Sequence, residues 1–280
     1  MEKALKKYFP VFVLPTAAAF VIGFIVPFIM AVYLSFCSFT TVSDAKFVGI
    51  GNYIEAFRDT TFLHSVLFSA LFTVVTVILI NVLAFTVALC LTKKIKGTNV
   101  FRTIFFMPNL IGGIVLGYVW QLLFNGLLSY VNRTLTYSSV YGFWGLVILL
   151  SWQQIGYMMI IYIAGIQNIA GDMLEAAEVD GANGFQRLFK IIIPSVSPSI
   201  VICTFLSLTN GFKLFDQNLA LTAGEPSRAT EMVALNIYNT FYGSTAAYRG
   251  VGQAKAVIFA IALAVIGVIQ MRFTAGKEEK

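Results

Sequence analysis

Six stretches of this chain are apolar for close to twenty residues or more, and stretches of that length constrain a fold more than any motif within them. They lie near 11–36, 64–91, 103–124, 142–166, 198–214 and 254–273. The hydrocarbon layer of a bilayer is ~30 Å thick, and a helix rising 1.5 Å per residue crosses it in about 20 residues. The stretches do not alternate polar with apolar residues, which argues for helices and against barrel strands. Composition agrees: 58% of residues are hydrophobic and 11% charged, where a soluble domain carries roughly 25% charged residues. The sequence predicts an all-α membrane protein with about six transmembrane helices, forming one domain over residues 1–280.

Pro15, Pro27 and Pro108 fall inside or at the mouths of these spans. Membrane helices tolerate proline where neighbours re-satisfy the freed backbone groups, so kinks are expected there. The first span follows Lys3, Lys6 and Lys7, as a signal peptide would. Its small residues Ala17–Ala19 lie in mid-run, however, and its apolar length exceeds the usual ~7–15 residues of a cleaved signal. It is expected to be retained as a span.

Lys and Arg residues set orientation. Twelve of the nineteen lie at the two ends of the chain, at 93–102, and at Arg187 and Lys190. The opposite set holds Lys46, Arg58, Arg133, Arg228 and Arg249, with Lys213 and Lys255 near span ends. The asymmetry predicts cytoplasmic N- and C-termini. The net charge of +6 therefore reports topology, and no basic arm or patch suggests nucleic acid. Cys37, Cys90 and Cys203 are far apart and His64 is the sole histidine, so no metal site is expected. The sequence contains no G-x-x-x-x-G-K-[ST] loop, and none of the chemistry of a membrane-embedded enzyme is concentrated in its spans.

The segment 168–195, between the fourth and fifth spans, reads as two short helices. Asp172 with Glu175 has the spacing of an N-terminal capping arrangement, and Gly181 supplies a stop. Asn183 with Gln186 repeats the capping signal, after which Phe185, Leu188, Phe189 and Ile192 share an apolar stripe until Pro194. Ala176 and Ala177 let the first helix approach a partner surface closely, while Glu175 offers a charged contact. An ordinary interfacial loop helix would read similarly.

The run Glu175-Ala176-Ala177, Asp180-Gly181-Ala182, then Phe189, Ile192, Pro194 and Pro198 resembles the EAA motif of permeases in binding-protein-dependent ABC importers. The segments Phe47-Val48-Gly49-Ile50-Gly51-Asn52-Tyr53 and Phe212-Lys213-Leu214-Phe215-Asp216 through Gly224-Glu225-Pro226 are similar to the carbohydrate branch, on the side of the larger maltose permease but in a compact six-span form. The resemblance implies a type I importer permease fold with a cytoplasmic coupling helix. It implies that Glu175, Ala176, Ala177, Asp180 and Gly181 couple to an ATPase. It further implies a bacterial plasma-membrane location, a second homologous permease, two cytoplasmic ATPases that carry ATP and Mg, and an extracellular sugar-binding protein. This chain itself would bind no cofactor.

Pore chemistry can be read independently. None of the thirteen carboxylates falls in mid-span, where proton- or sodium-coupled carriers commonly place them. Neutral amides, hydroxyls and aromatic rings are present instead, and these suit an uncharged sugar. Gln154 and Tyr157 share a helical face at i, i+3, as do Ser207 and Asn210. The family resemblance places these four at sugar-contacting positions. Asn81, Asn109 and Gln121 read better as residues joining helices, and Lys213 as a side chain reaching to the outer interface. An importer permease for another solute class and an ATP-independent secondary carrier remain the alternatives.

Overall fold

The structure, a computed structural model, describes residues 2–93, 96–243 and 248–278. They pack as two compact units, one built from Met1–Phe62 with Ile237–Ala262 and the other from Leu63–Asn236 with Leu263–Lys280, each counted over its described residues. In chain order, α1 (Glu2–Phe20) passes through a π-helical turn (Val21–Ile25) into α2 (Val26–Ser35). A short ribbon of β1 (Cys37–Ser38) and β2 (Lys46–Phe47) precedes α3 (Gly51–Arg58) and the long α4 (Thr60–Leu91). Then come α5 (Thr98–Phe106), a 3-10 turn (Met107–Leu110), α6 (Gly113–Ser129) and α7 (Ser139–Gln167). The short helices α8 (Gly171–Val179), α9 (Gly184–Arg187) and α10 (Ile193–Ser195) lead to α11 (Ser197–Phe212), α12 (Asp216–Leu221), α13 (Val233–Tyr242) and α14 (Arg249–Glu278).

Four stretches are long and apolar enough to cross a membrane as single helices: Val13–Ser35, Thr60–Leu91, Ser139–Gln167 and Arg249–Gln270. Two further crossings are bent pairs, Thr98–Leu110 with Gly113–Ser129 at 101° and Gly184–Ser195 with Ser197–Phe212 at 69°. Counting each pair once gives six. The expected third and fifth spans are thus the broken ones. Pro108 lies in the 3-10 turn beside the first break, and Pro198 opens α11 beyond the second. Pro194 does not end its helix as the sequence suggested: a π-helical turn over Leu188–Ile192 precedes it, and the chain stays helical to Ser195. A π turn shifts backbone pairing by one residue, so a proline's missing N–H can be absorbed there.

In the first unit, the polar side chains of α3 tie it to the end of α2. Asn52 Nδ2 donates to the carbonyls of Ser35 (2.8 Å) and Cys37 (2.9 Å), and the Ser35 and Tyr53 hydroxyls lie 2.6 Å apart. Lys255, expected near a span end, lies buried in α14 with its ammonium 2.6 Å from Asp59 Oδ2 and 2.8 Å from Thr240 Oγ1. Partial burial works against the Asp59 carboxylate, but hydrogen bonds from Lys255 and Thr61 outweigh it and hold its pKa below the ordinary carboxylate value. The tie is therefore intact at neutral pH and weakens only as pH falls below the usual carboxylate range.

In the second unit the core gathers on α4, α7 and α11, with Phe72, Ile80, Leu146, Leu150, Met158 and Cys203 buried in one cluster. Small residues bring helices together. A Cβ on Gly113 would lie 2.7 Å from Asp216 Cβ, and one on Gly117 would lie 2.5 Å from Ala220 Cβ, so a G-x-x-x-G face of α6 receives α12. On α7, a Cβ at Gly156 would collide with the Phe105 carbonyl oxygen. Backbone cannot retreat as a side-chain tip can, so Gly156→Ala should destabilise the protein by about 1–3 kcal/mol, the usual cost of overpacking. Thermal unfolding followed by fluorescence size-exclusion in detergent should show a lowered midpoint, whereas Gly126→Ala, with nothing within 4 Å of its Cβ, should not.

Candidate functional site

Where the third crossing breaks, the chain leaves the 3-10 turn at Ile111 and Gly112 before α6 begins. A break in a helix frees backbone carbonyls that have lost their intrahelical donors, and side chains can supply new ones. Gln153 of α7 meets this need: its Nε2 donates to the Ile111 carbonyl (3.2 Å), while its Oε1 accepts from Gln217 Nε2 (2.7 Å). Gln153 is only 5% exposed. One buried amide thereby joins the break, α7 and the start of α12.

The next residue, Gln154, turns to a different partner. Its Oε1 accepts from Asn210 Nδ2 at 3.1 Å, linking α7 to α11. Both line a cavity of about 280 Å3, together with Lys213, Asp216 and Gln217 and the apolar Leu150, Leu214 and Phe215. Two of the four sugar-contact candidates thus meet on one wall. Tyr157 is half-buried and packs against the core cluster of α4, α7 and α11.

Ser207 is placed elsewhere. It is fully buried, its hydroxyl accepts from Asn81 Nδ2 (2.9 Å) and donates to the Cys203 carbonyl (2.7 Å). The Tyr162 hydroxyl donates to Asn81 Oδ1 at 2.6 Å, so Asn81, Tyr162 and Ser207 clasp α4, α7 and α11 together. Asn81 acts as the helix-joining residue its sequence context suggested, and so does Gln121, whose Nε2 donates to the Leu221 carbonyl (3.0 Å). Lys213, expected to reach for the outer interface, lines the cavity with Asp216. Sequence reasoning passed over Gln217, because a lone amide just beyond a span carries no periodic signal.

The second candidate region is the short-helix pair. The N-cap of α8 is Ala170, with no side-chain cap, so Asp172 does not cap it. Asp172 lies inside the first turn, where its negative charge suits the positive end of the helix dipole. Its other end is as expected. Gly181 takes φ +75°, and the amides of Gly181 and Ala182 return to the carbonyls of Glu178 (3.1 Å) and Ala177 (2.9 Å), a Schellman stop. Asn183 and Gln186 form the reciprocal capping box at 2.8 and 2.9 Å. Arg187 Nη1 lies 3.2 Å from Glu178 Oε2, across the turn between α8 and α9. Glu175, Ala176, Asp180 and Gly181 are exposed, and Ala177 is buried.

Among the described residues no group of three or more His, Cys, Asp or Glu is placed to hold a metal. A cavity with polar side chains among helices of membrane-crossing length, in a chain whose α7–α11 connection carries a capped pair of short helices, is the equipment of a solute permease. Residues 82–275 match the model of the family described as binding-protein-dependent transport system inner membrane component. This chain belongs to that family.

A curated relative, a probable starch degradation products transport system permease protein from Thermoanaerobacterium thermosulfurigenes, is 41% identical over 95% of this chain and 94% of its own length. The trehalose/maltose transport system permease protein MalF of Thermococcus litoralis is 30% identical over 78% of this chain and 77% of its own. Among solved structures, a chain of a bacterial alginate ABC transporter, in complex with an alginate pentasaccharide-bound periplasmic protein, superposes with a TM-score of 0.79. It is 19% identical, over 96% of this chain and 95% of that one. The fold is therefore that of an ABC-importer permease.

Gln153→Leu should leave the Ile111 carbonyl and Gln217 without their shared partner and cost about 0.5–1.5 kcal/mol for each hydrogen bond lost. A lowered unfolding midpoint in detergent, with Gln154→Leu far milder, is the expected result.

Proposed function

We propose that this chain carries a neutral sugar or oligosaccharide across the bacterial plasma membrane as one of two permease subunits of an ATP-driven importer. The observation that carries the reading is the cavity wall on which Gln154 and Asn210 meet. Amide groups donate to and accept from sugar hydroxyls without the penalty of a buried charge. The names of the starch-product and trehalose/maltose relatives support a saccharide. Gln154, Asn210 and Tyr157 contact the solute on this reading, and Ser207 acts through the clasp with Asn81 that holds α4 against α11.

The pair of short helices serves as the coupling element. Four carboxylates, Asp172, Glu175, Glu178 and Asp180, lie on α8 or at its end beside the exposed Met173, Ala176 and Val179. That surface suits a cleft with basic and apolar residues on a cytoplasmic ATPase. ATP and Mg belong to two such partner subunits, since this sequence holds no phosphate loop. A homologous permease completes the path, and an external binding protein delivers the sugar. The termini and α8 lie on the cytoplasmic side, in keeping with the distribution of Lys and Arg.

Purification of the chain from native membranes with its associated proteins, followed by ATPase assays with candidate binding proteins, tests the assignment. Recovery of a second permease and an ATPase stimulated by one sugar-loaded binding protein supports it; flux in liposomes that contain this chain alone and no ATP would overturn it. Glu175→Lys should abolish uptake and ATPase co-purification while leaving membrane insertion intact. Gln154→Ala and Tyr157→Ala should lower uptake across a sugar concentration series with the complex still assembled. Unchanged uptake would remove these residues from the path.

A further inference from the structure

The connection between α2 and α4 contains a surface that the transport reading does not use. At 3.6 residues per turn, Ile50, Ile54 and Phe57 fall within about 60° of one another around α3 and its first turn. They are 64%, 45% and 56% exposed, and Phe47 of β2 beside them is 70% exposed. The opposite side of the same helix is the packed one, where Asn52 and Ala56 are buried. Glu55 and Arg58 lie between the two faces and are exposed. An eight-residue helix thus has a core face, a polar face and an apolar face with no protein against it.

The position of α3 is fixed by span ends within its own unit. Asn52 and Tyr53 bond to Ser35, the last residue of the first crossing. Asp59 immediately precedes the second crossing and pairs with Lys255, in the second turn of the last. A helix tied to the ends of three crossings lies at the level where hydrocarbon gives way to headgroups. Lys46 and Arg58 stand at the two ends of the stripe, where lipid phosphates would meet them.

We propose that α3 is a membrane-surface helix, which seats Phe47, Ile50, Ile54 and Phe57 among the acyl chains of the leaflet opposite the termini and sets Lys46 and Arg58 against lipid phosphates. It needs the chain to be a multi-pass membrane protein and uses the proposed orientation only to name the leaflet. Three crossings are thereby held at one depth from outside the solute path.

Collision accessibility tests this in the whole transporter complex, reconstituted in phosphatidylcholine/phosphatidylglycerol vesicles. Cys37 and Cys203 are buried, so a Cys90→Ser background allows a nitroxide at Ile54→Cys, at Phe57→Cys, or at Glu55→Cys as the polar control. The labels at 54 and 57 should favour oxygen over a water-soluble nickel chelate several-fold more than the label at 55, with or without binding protein. Equal chelate access at all three positions would overturn the proposal. So would protection of 54 and 57 from both reagents, which would mean that another protein chain covers the face. ATP-driven sugar uptake by the same vesicles is scored separately, so a failed transport assignment and a failed helix placement are distinguishable.

Discussion

A break in a helix strips backbone carbonyls of their donors, and at the bend of the third crossing the Ile111 carbonyl is supplied with one from α7. A single amide, Gln153, supplies the donor and at the same time accepts from Gln217. The arrangement sits at the 101° bend. The bend sends α6 along a course on which Gly113 and Gly117 meet α12, and α12 in turn brings Asp216 and Gln217 to the cavity that Gln154 and Asn210 share. Adjacent residues on α7 thus divide the work: Gln153 bonds the broken backbone and Gln154 lines the cavity.

What could be read from the sequence was whatever one helix decides for itself. Apolar length located the crossings, and the spacing of Asn183 with Gln186 and the glycine at 181 marked the turn between α8 and α9, because caps and stops are local chemistry. Partners across helices were less legible. Ser207 and Asn210 look equivalent by helical spacing, yet Ser207 meets Asn81, distant in sequence, while Asn210 meets Gln154. Lys255 could be placed near a span end, but nothing in its spacing paired it with Asp59 and Thr240. Asp172 looked like a cap because its spacing to Glu175 fits, but the cap position falls two residues earlier, at Ala170, and leaves Asp172 in the first turn.

The two units solve the same problem with different means. In the first, a charged pair and the side chain of Asn52 hold short extramembrane elements to span ends. In the second, neutral amides and hydroxyls join helices within the apolar core, as in the Asn81, Tyr162 and Ser207 clasp. The difference follows charge: the buried Lys255 is compensated by Asp59, which keeps part of its surface exposed, whereas neutral hydrogen bonds in an apolar core avoid the desolvation of charge altogether.

The turn between α8 and α9 has a mechanical consequence. Its backbone is pinned by the Schellman stop on one side and the reciprocal box on the other, with Arg187 and Glu178 spanning it. A joint fixed in this way has little slack to take up. On the coupling reading, displacement of α8 would travel as a lever stroke through α9 to the 69° elbow before α11. The elbow leads directly into the helix that carries Asn210, so on that reading the stroke would arrive at the wall of the cavity that Gln154 and Asn210 line.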